Sequence, residues 1–414
     1  MENNPVVALF LVLGIIITAA RVGGAIARHF DQPRVLGELV VGVILGPTLL
    51  DLLHLPTFGI EAAHLEVTIH ELAELGVLLL MFKVGLDVHL RELAEVGLVA
   101  GIAGVSGALL PLAMALPVVE AFGYSWQEGL FAGVTLAATS VSISAQVLLE
   151  LDVLRTREGN ALLATALIDD VVAILLVSLA IAITGPQQSA QPGDLLLIVA
   201  QMGIYIVVAS AVAWFILPRA ANWIHHHPAA SQSYGVPAFA LIMALLFGWS
   251  AEYLGGVAAI TGAFIAGVGF SRARENVKRA IDVAASNMSY AFLVPIFFVS
   301  VGLQTDLSRF PLDALPFAAV LLLVAVASKV IGCGAGARLG GFNNQESLRL
   351  GVCMISRGEV GLIIASLGLS SGIFRAEQPL FTSLFLVILL STVLTPPLVR
   401  RVFQETPCEV TEGV

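Results

Sequence analysis

The stretch ATALIDDVVAILLVSLAIAIT, residues 164–184, decides how this chain is read. At about 1.5 Å of rise per residue it is long enough to cross the roughly 30 Å hydrocarbon core of a bilayer, and it carries two adjacent aspartates. A central acidic residue costs about 2.5–3.5 kcal/mol on the insertion scale. Asp169 and Asp170, a third to half of the way across, must therefore be paired, protonated or bound to a cation. Neighbouring helical residues diverge by about 100°, so the two carboxylates have different surroundings. One can face an ion cavity while the other faces an adjacent helix. A helix–helix hydrogen-bonding pair, or an interfacial acid drawn inward, is the structural alternative.

The rest of the chain has the same character. Of 414 residues 58% are apolar and 12% charged, with mean hydropathy +0.94. A soluble protein carries about 25% charged residues, so this composition excludes a secreted or cytosolic enzyme and a nucleic-acid binder. The formal charge of −10 says little about partners when the few charges sit in loops. Apolar runs predict an all-α polytopic membrane protein with thirteen spans, at about 5–27, 34–54, 71–89, 94–122, 126–150, 159–184, 194–217, 235–253, 255–270, 285–304, 312–338, 346–370 and 379–402. The first run follows Glu2, with its arginines after it rather than before, so it does not read as a cleaved signal peptide. Cys333 and Cys353 fall in apolar runs and Cys408 near the end, which gives no disulfide or metal-ligand spacing.

Lys and Arg alternate between loops as thirteen spans require. One set of connections holds fourteen of them, including Arg28, Arg34, Arg155, Arg157, the run Arg272 to Arg279, Arg400 and Arg401, and the other holds Arg309 and Arg375. The positive-inside rule makes the first set cytoplasmic, with the N-terminus outside and the C-terminus inside. Six helices, a linking helix and six more would start the second half on the opposite side, as in an inverted-topology repeat. The fifth and twelfth spans then correspond.

Four basic residues, Arg21, Lys83, Lys329 and Arg357, remain inside spans. Lys329 lies nine residues before Arg338, about 13 Å deep, which is far for an amine to snorkel and points to an internal carboxylate partner. In the twelfth span Ser356, Arg357, Gly358 and Glu359 interrupt MISRGEVGLIIASLG and predict a broken helix lining a cavity. Arg357 and Glu359 can pair to close that break or meet the ion directly. The fifth span offers Thr139, Ser140, Ser142 and Ser144 as hard oxygen ligands, though such hydroxyls often bond back to their own helix. Lys83 and Asp87, four apart, predict an intrahelical pair with no transport role, and Glu38 an interfacial or helix-dipole acid. His225 to His227 read as a solvated run in a cytoplasmic loop. No GxxxxGK[ST] loop is present and thirteen residues follow Arg401, so the expectation is transport driven by an ion gradient, or passive transport, rather than ATP-driven pumping.

These residues also resemble a known group, the monovalent cation:proton antiporter-2 family, and within it the NapA-type bacterial sodium/proton antiporters. The matching stretches are LGELVVGVILGP (36–47), ELGVLLLMFKVGLD (74–87), ATSVSISAQVL (138–148), LIDDVVAILL (167–176), LVPIFFVSVGL (293–303) and SRGEVGLIIA (356–365). The Asp-Asp pair is similar to that of electrogenic members, whereas electroneutral relatives tend to have Asn first. Lys83, where an apolar residue is expected, and Ser356, where proline is common, depart from the pattern. The large cytoplasmic nucleotide-sensing domain of Kef-type systems is not expected.

The resemblance implies an NhaA/NapA-like antiporter fold of inverted repeats with two crossed broken helices, the fifth and twelfth spans. It implies dimerisation-domain segments at 1–93 and 235–304, ion-transport core segments at 94–184 and 305–403, a linker at 185–234 and a tail at 404–414. Asp170 would bind sodium or a proton in competition, Asp169 would form a breakable pair with Lys329, and Thr139 with Asp169 would complete the cation's ligands. Thr139, Ser140, Ser356, Arg357 and Glu359 would hold the crossing. The implied function is electrogenic exchange of Na+ or Li+ for H+ in pH homeostasis, by an elevator motion, in a homodimer of the bacterial inner membrane. No cofactor is implied; partners are lipid and the transported ions. Potassium/proton exchange is the alternative, followed by a sodium-coupled symporter or a cation channel.

Overall fold

A computed structural model describes residues 5–55, 62–87, 95–184, 192–227, 234–304, 310–370, 372–375 and 378–404. Among them the regular structure is all helical. The chain runs through α1 (Pro5–His29), α2 (Arg34–Leu45), α3 (Ala62–Asp87), α4 (Gly97–Ala121), α5 (Trp126–Ala137), α6 (Val141–Glu150), α7 (Arg157–Thr184), α8 (Pro192–Phe215), α9 (Leu217–His226) and α10 (Gly235–Ser250). It continues through α11 (Ala259–Phe270), α12 (Glu275–Met288), α13 (Val294–Leu303), α14 (Leu315–Leu339), α15 (Asn344–Cys353), α16 (Glu359–Ser370) and α17 (Pro379–Gln404).

Each of the thirteen expected spans coincides with one of these helices or with a consecutive pair. Nine stretches among the described residues are long and apolar enough to cross a membrane; those at the second, third, ninth and twelfth spans are not among them. Three boundaries move, each for a local reason. α2 stops at Leu45, because Gly46 precedes Pro47 and takes an extended conformation, φ −74° and ψ −178°. α3 begins at Ala62, well before the expected position, since its polar first half is amphipathic and buries Leu65, Ile69 and Ala73 at every fourth residue. Likewise α12 extends the tenth span backward: its buried Val277 and Ile281 share one face, while Lys278 and Arg279 are left to the other.

Long apolar helices need partners that approach closely, and small residues supply them. α4 and α14 pack through Gly107 beside Cys333 and through Ser106, whose hydroxyl donates to the Gly332 carbonyl at 2.8 Å. Cys333 and Cys353 are buried free thiols and act as core filling. One apolar cluster joins α4 and α5 to α14, α16 and α17, and a second joins α3 to α10, α11 and α12. A third, around Leu80, Phe298, Leu148 and Met354, lies where the helices of these two groups meet and runs beside the interrupted helices.

Candidate functional site

The fifth and twelfth spans are each interrupted. Between α5 and α6 the residues Ala138 to Ser140 leave the helix, and between α15 and α16 the residues Met354 to Gly358 do so. A break inside a span strands backbone donors and acceptors, which must find partners within the protein. Here the two breaks serve one another. The Ser140 amide donates to the Ser356 carbonyl at 2.9 Å, and the Ser356 hydroxyl donates back to the Ser140 carbonyl at 2.6 Å. Ser144 adds a bond to the Cys353 carbonyl at 2.5 Å and lies 3.1 Å from the Ser356 hydroxyl. Gly358 makes the crossing possible, since a Cβ there would sit 2.8 Å from Ser140 Oγ.

Arg357 closes the helix ends. Its fully buried guanidinium donates to the Leu136 carbonyl at 3.0 and 2.8 Å, to Ile355 at 2.9 Å and to Ala325 at 2.8 Å. Leu136 and Ile355 stand at or just beyond the C-terminal ends of α5 and α15, where unsatisfied carbonyls gather partial negative charge, so one cation answers both. The Thr392 hydroxyl donates to the Arg357 carbonyl. Arg357 is thus held by main-chain oxygens of α5, of α14 and of the α15–α16 break. Glu359 opens α16, but its side chain lies outside the described residues.

Beside the crossing, α7 presents its two aspartates in different directions. Asp169 faces α14, where Lys329 Nζ donates to Oδ1 at 2.9 Å and Oδ2 at 3.3 Å, with the two side chains 1% and 0% exposed. The bidentate contact answers both charges where bulk solvent does not reach them. Asp170 faces the first turn of α11, where Thr261 Oγ1 donates to its Oδ2 at 3.3 Å. There a cavity of about 30 Å³ is lined by Asp170, Thr261, Met81, Val141 and apolar residues of α7 and α11. Thr139 stands in the α5–α6 break, buried, and its hydroxyl has no hydrogen-bond partner among the described residues. The structure thus brings together Asp169 with Lys329, and Ser140 with Ser356 and Gly358, and it places Asp170 separately at a cavity.

Sequence reasoning passed over Thr261. The signal was a lone hydroxyl in the apolar run AITGAFIAGVGF, and hydroxyls are common enough in spans to be unremarked. It also saw only half of the cluster at the end of α3. Lys83 meets Asp87 at 2.6 Å as the spacing predicts, but also Asp282 of α12 at 2.7 Å, while Arg155 reaches Asp87 at 3.1 Å. His225 and His226 contact Asn276 at 2.9 Å and Arg274 at 2.7 Å, and no group of metal-ligating side chains occurs among the described residues.

An all-helical bundle with crossed broken helices beside a buried acid–lysine pair is the frame of an ion transporter. Comparison with known proteins agrees with it: the family described as "Sodium/hydrogen exchanger, transmembrane" matches residues 11–404, and the chain belongs to that family. It is 32% identical over 394 residues to the Na(+)/H(+)-K(+) antiporter GerN of Bacillus cereus, covering 95% of this chain and 96% of the relative. It is 34% identical over 395 residues to a Na(+)/H(+) antiporter of Enterococcus hirae, covering 94% and 96%. In fold it is similar to the solved structure of the sodium proton antiporter MjNhaP1 from Methanocaldococcus jannaschii, with a TM-score of 0.69 at 17% identity over 97% of this chain and 99% of that one.

Proposed function

We propose that the chain is a secondary active antiporter that exchanges Na+ or Li+ for H+. One observation carries the reading: Asp170 borders a small cavity and accepts a hydroxyl bond, while Asp169 beside it is fully committed to Lys329. A carboxylate at such a cavity binds a proton or a cation but not both. If only loaded states move, exchange is obligatory. Breaking the Lys329–Asp169 pair as the cation binds would let the lysine release a proton, and moving more proton charge than the cation carries makes exchange electrogenic.

On this reading segments 94–184 and 305–403 form a core that moves like an elevator past a dimerisation scaffold of 1–93 and 235–304, joined through 185–234. All thirteen segments lie in the membrane, the N-terminus outside and the C-terminus cytoplasmic, in a homodimer of a bacterial inner membrane. Support comes from the charge alternation of the loops and from the family. Potassium/proton exchange is the second reading, favoured by the name of the relative GerN.

The test uses proteoliposomes with an acid-inside gradient and a pH-sensitive dye. Sodium or lithium is expected to alkalinise the lumen, with choline silent and Asp170→Asn inactive. A potassium response moves the assignment to the second reading. Silence toward every cation from a folded, inserted protein overturns it.

A further inference from the structure

Thr261 joins Asp170 to a helix outside the aspartate's own group. α11, which begins at Ala259, packs chiefly with α3, α10 and α8, whereas α7 packs chiefly with α4 and α5 and less with α6, α8 and α15. The Thr261 side chain is nearly buried, and its backbone is fixed by the helix start, the Thr261 amide donating to Ala258 O at 3.0 Å. Among the described residues that line the Asp170 cavity these two bring the only hard oxygen-bearing side chains; the remainder are Met81, Phe264 and aliphatic groups. A volume of about 30 Å³ is room for one small guest, above the roughly 10–15 Å³ that a single water needs by the same measure. A cation that comes to Asp170 there has shed most of its hydration and requires replacement oxygens.

A hydroxyl suits both conditions of that aspartate. It carries one donor and two acceptor lone pairs, and it rotates freely. Toward an ionised Asp170 it can donate, and here it stands 3.3 Å from the Oδ2 atom. Toward a cation held by Asp170 it can turn and offer a lone pair from the same position. A valine in its place keeps the volume and offers neither.

We infer that Thr261 is a cation ligand supplied to the Asp170 site from α11, so that the bound ion has an extra oxygen on one side of the transport cycle. This rests on the proposed antiport by Asp170 and adds a consequence to it. If α7 moves relative to α11, the hydroxyl serves the ion in only one of the two end states, and apparent affinities at the two membrane faces differ because of it. Asp170 travels with the ion; Thr261 stays behind.

The experiment measures the KM for Na+ and Li+ from each face, in proteoliposomes of defined orientation, for the wild type, Thr261→Val and Thr261→Ser. Thr261→Val is expected to raise KM by about fivefold to tenfold at one face, in line with loss of one ligand bond, with little change at the other and in maximal rate. Thr261→Ser is expected to restore the wild-type value. Cation-dependent thermal stabilisation of the same proteins supplies a second readout: Thr261→Val is expected to lessen it in the wild type and to change nothing further in Asp170→Asn. An unchanged KM at both faces, or an equal rise at both, overturns the inference. Absence of cation-driven exchange in the wild type instead defeats the antiport reading, so the two failures are distinct.

Discussion

Lys329 and Lys83 both hold carboxylates at hydrogen-bond distance, 2.9 Å from Asp169 in one case and 2.6 Å from Asp87 in the other. Their surroundings differ in three respects. Lys329 and Asp169 are sealed, at 0% and 1% exposure, whereas Lys83 and Asp87 keep 11% and 12% and Asp282 37%. The first pair joins two helices deep beside a break; the second lies in the last turns of α3. And Asp169 depends on Lys329, while Asp87 also receives Arg155 at 3.1 Å. A sealed pair with nothing to spare is sensitive to any change of charge, and a shared pair near water is not. The same two residue types thus make a sealed pair between helices in one place and a shared, partly wetted one in another.

The largest effect sits next to the sealed pair. Asp170→Asn keeps the shape of the carboxylate but removes the negative charge and the proton acceptor that the proposed exchange requires. Exchange is expected to fall to the level of empty liposomes, with the protein still folded, as dye fluorescence and size-exclusion chromatography together would reveal. Full, cation-specific exchange by this variant would detach the function from the aspartate pair.

Lys329→Ala comes next and tests the sealed pair itself. Removing one partner leaves Asp169 charged in a dry place, a loss of about 3–5 kcal/mol for a buried pair. The melting temperature is expected to fall and, if exchange is electrogenic as proposed, the accompanying current to change with it. Asp169→Asn combined with Lys329→Met should recover much of the lost stability, because no unpaired charge remains. Equal melting of Lys329→Ala and wild type would mean that the pair is not what holds α7 to α14.

How much of this was legible follows from the kind of signal each residue emits. A charge in an apolar run is conspicuous, so Asp169, Asp170, Lys329 and Arg357 stood out at once, and depth alone suggested the partner of Lys329. A glycine between polar residues marked the break at Gly358. What a run of letters does not carry is direction. Arg357 sits two residues from Glu359, and spacing made a pair plausible; what spacing does not convey is that the guanidinium reaches the carbonyls of Leu136 and Ala325, which chain folding alone brings near. Thr261 and Asp282 were invisible for a related reason: each gains its meaning from a residue on another helix, roughly ninety and two hundred positions away in sequence. The early start of α3 was hidden differently, because a polar, amphipathic half-helix breaks an apolar run without breaking the helix.

Gly358→Ala probes the crossing that lies between the two regions compared. The added methyl would stand 2.8 Å from Ser140 Oγ and 2.9 Å from its Cβ, closer than carbon atoms tolerate. Either the breaks separate, or Ser140 shifts and weakens its two bonds to Ser356. Overpacking of this kind costs about 1–3 kcal/mol. Exchange should drop more than stability does, since the crossing stands beside the helix that carries the aspartates. Wild-type rate and melting in this variant would show that the crossing is looser than the reciprocal bonds indicate.

Lys83→Met should have the smallest effect and is the sharpest check on the comparison. It removes an ammonium from between Asp87 and Asp282 and replaces it with an unbranched side chain of similar length. Asp87 keeps Arg155, and Asp282 is exposed enough to be solvated where it stands. The expected loss is therefore about 1 kcal/mol or less, within the range of partly exposed pairs, and it should shrink further as salt is added. Exchange rate and its dependence on sodium should stay within about a factor of two of wild type, less than the scale of one weak hydrogen bond. If Lys83→Met instead melted like Lys329→Ala, or abolished exchange, the two lysines would not differ in the way their burial implies, and the end of α3 would have to be counted as part of the ion path.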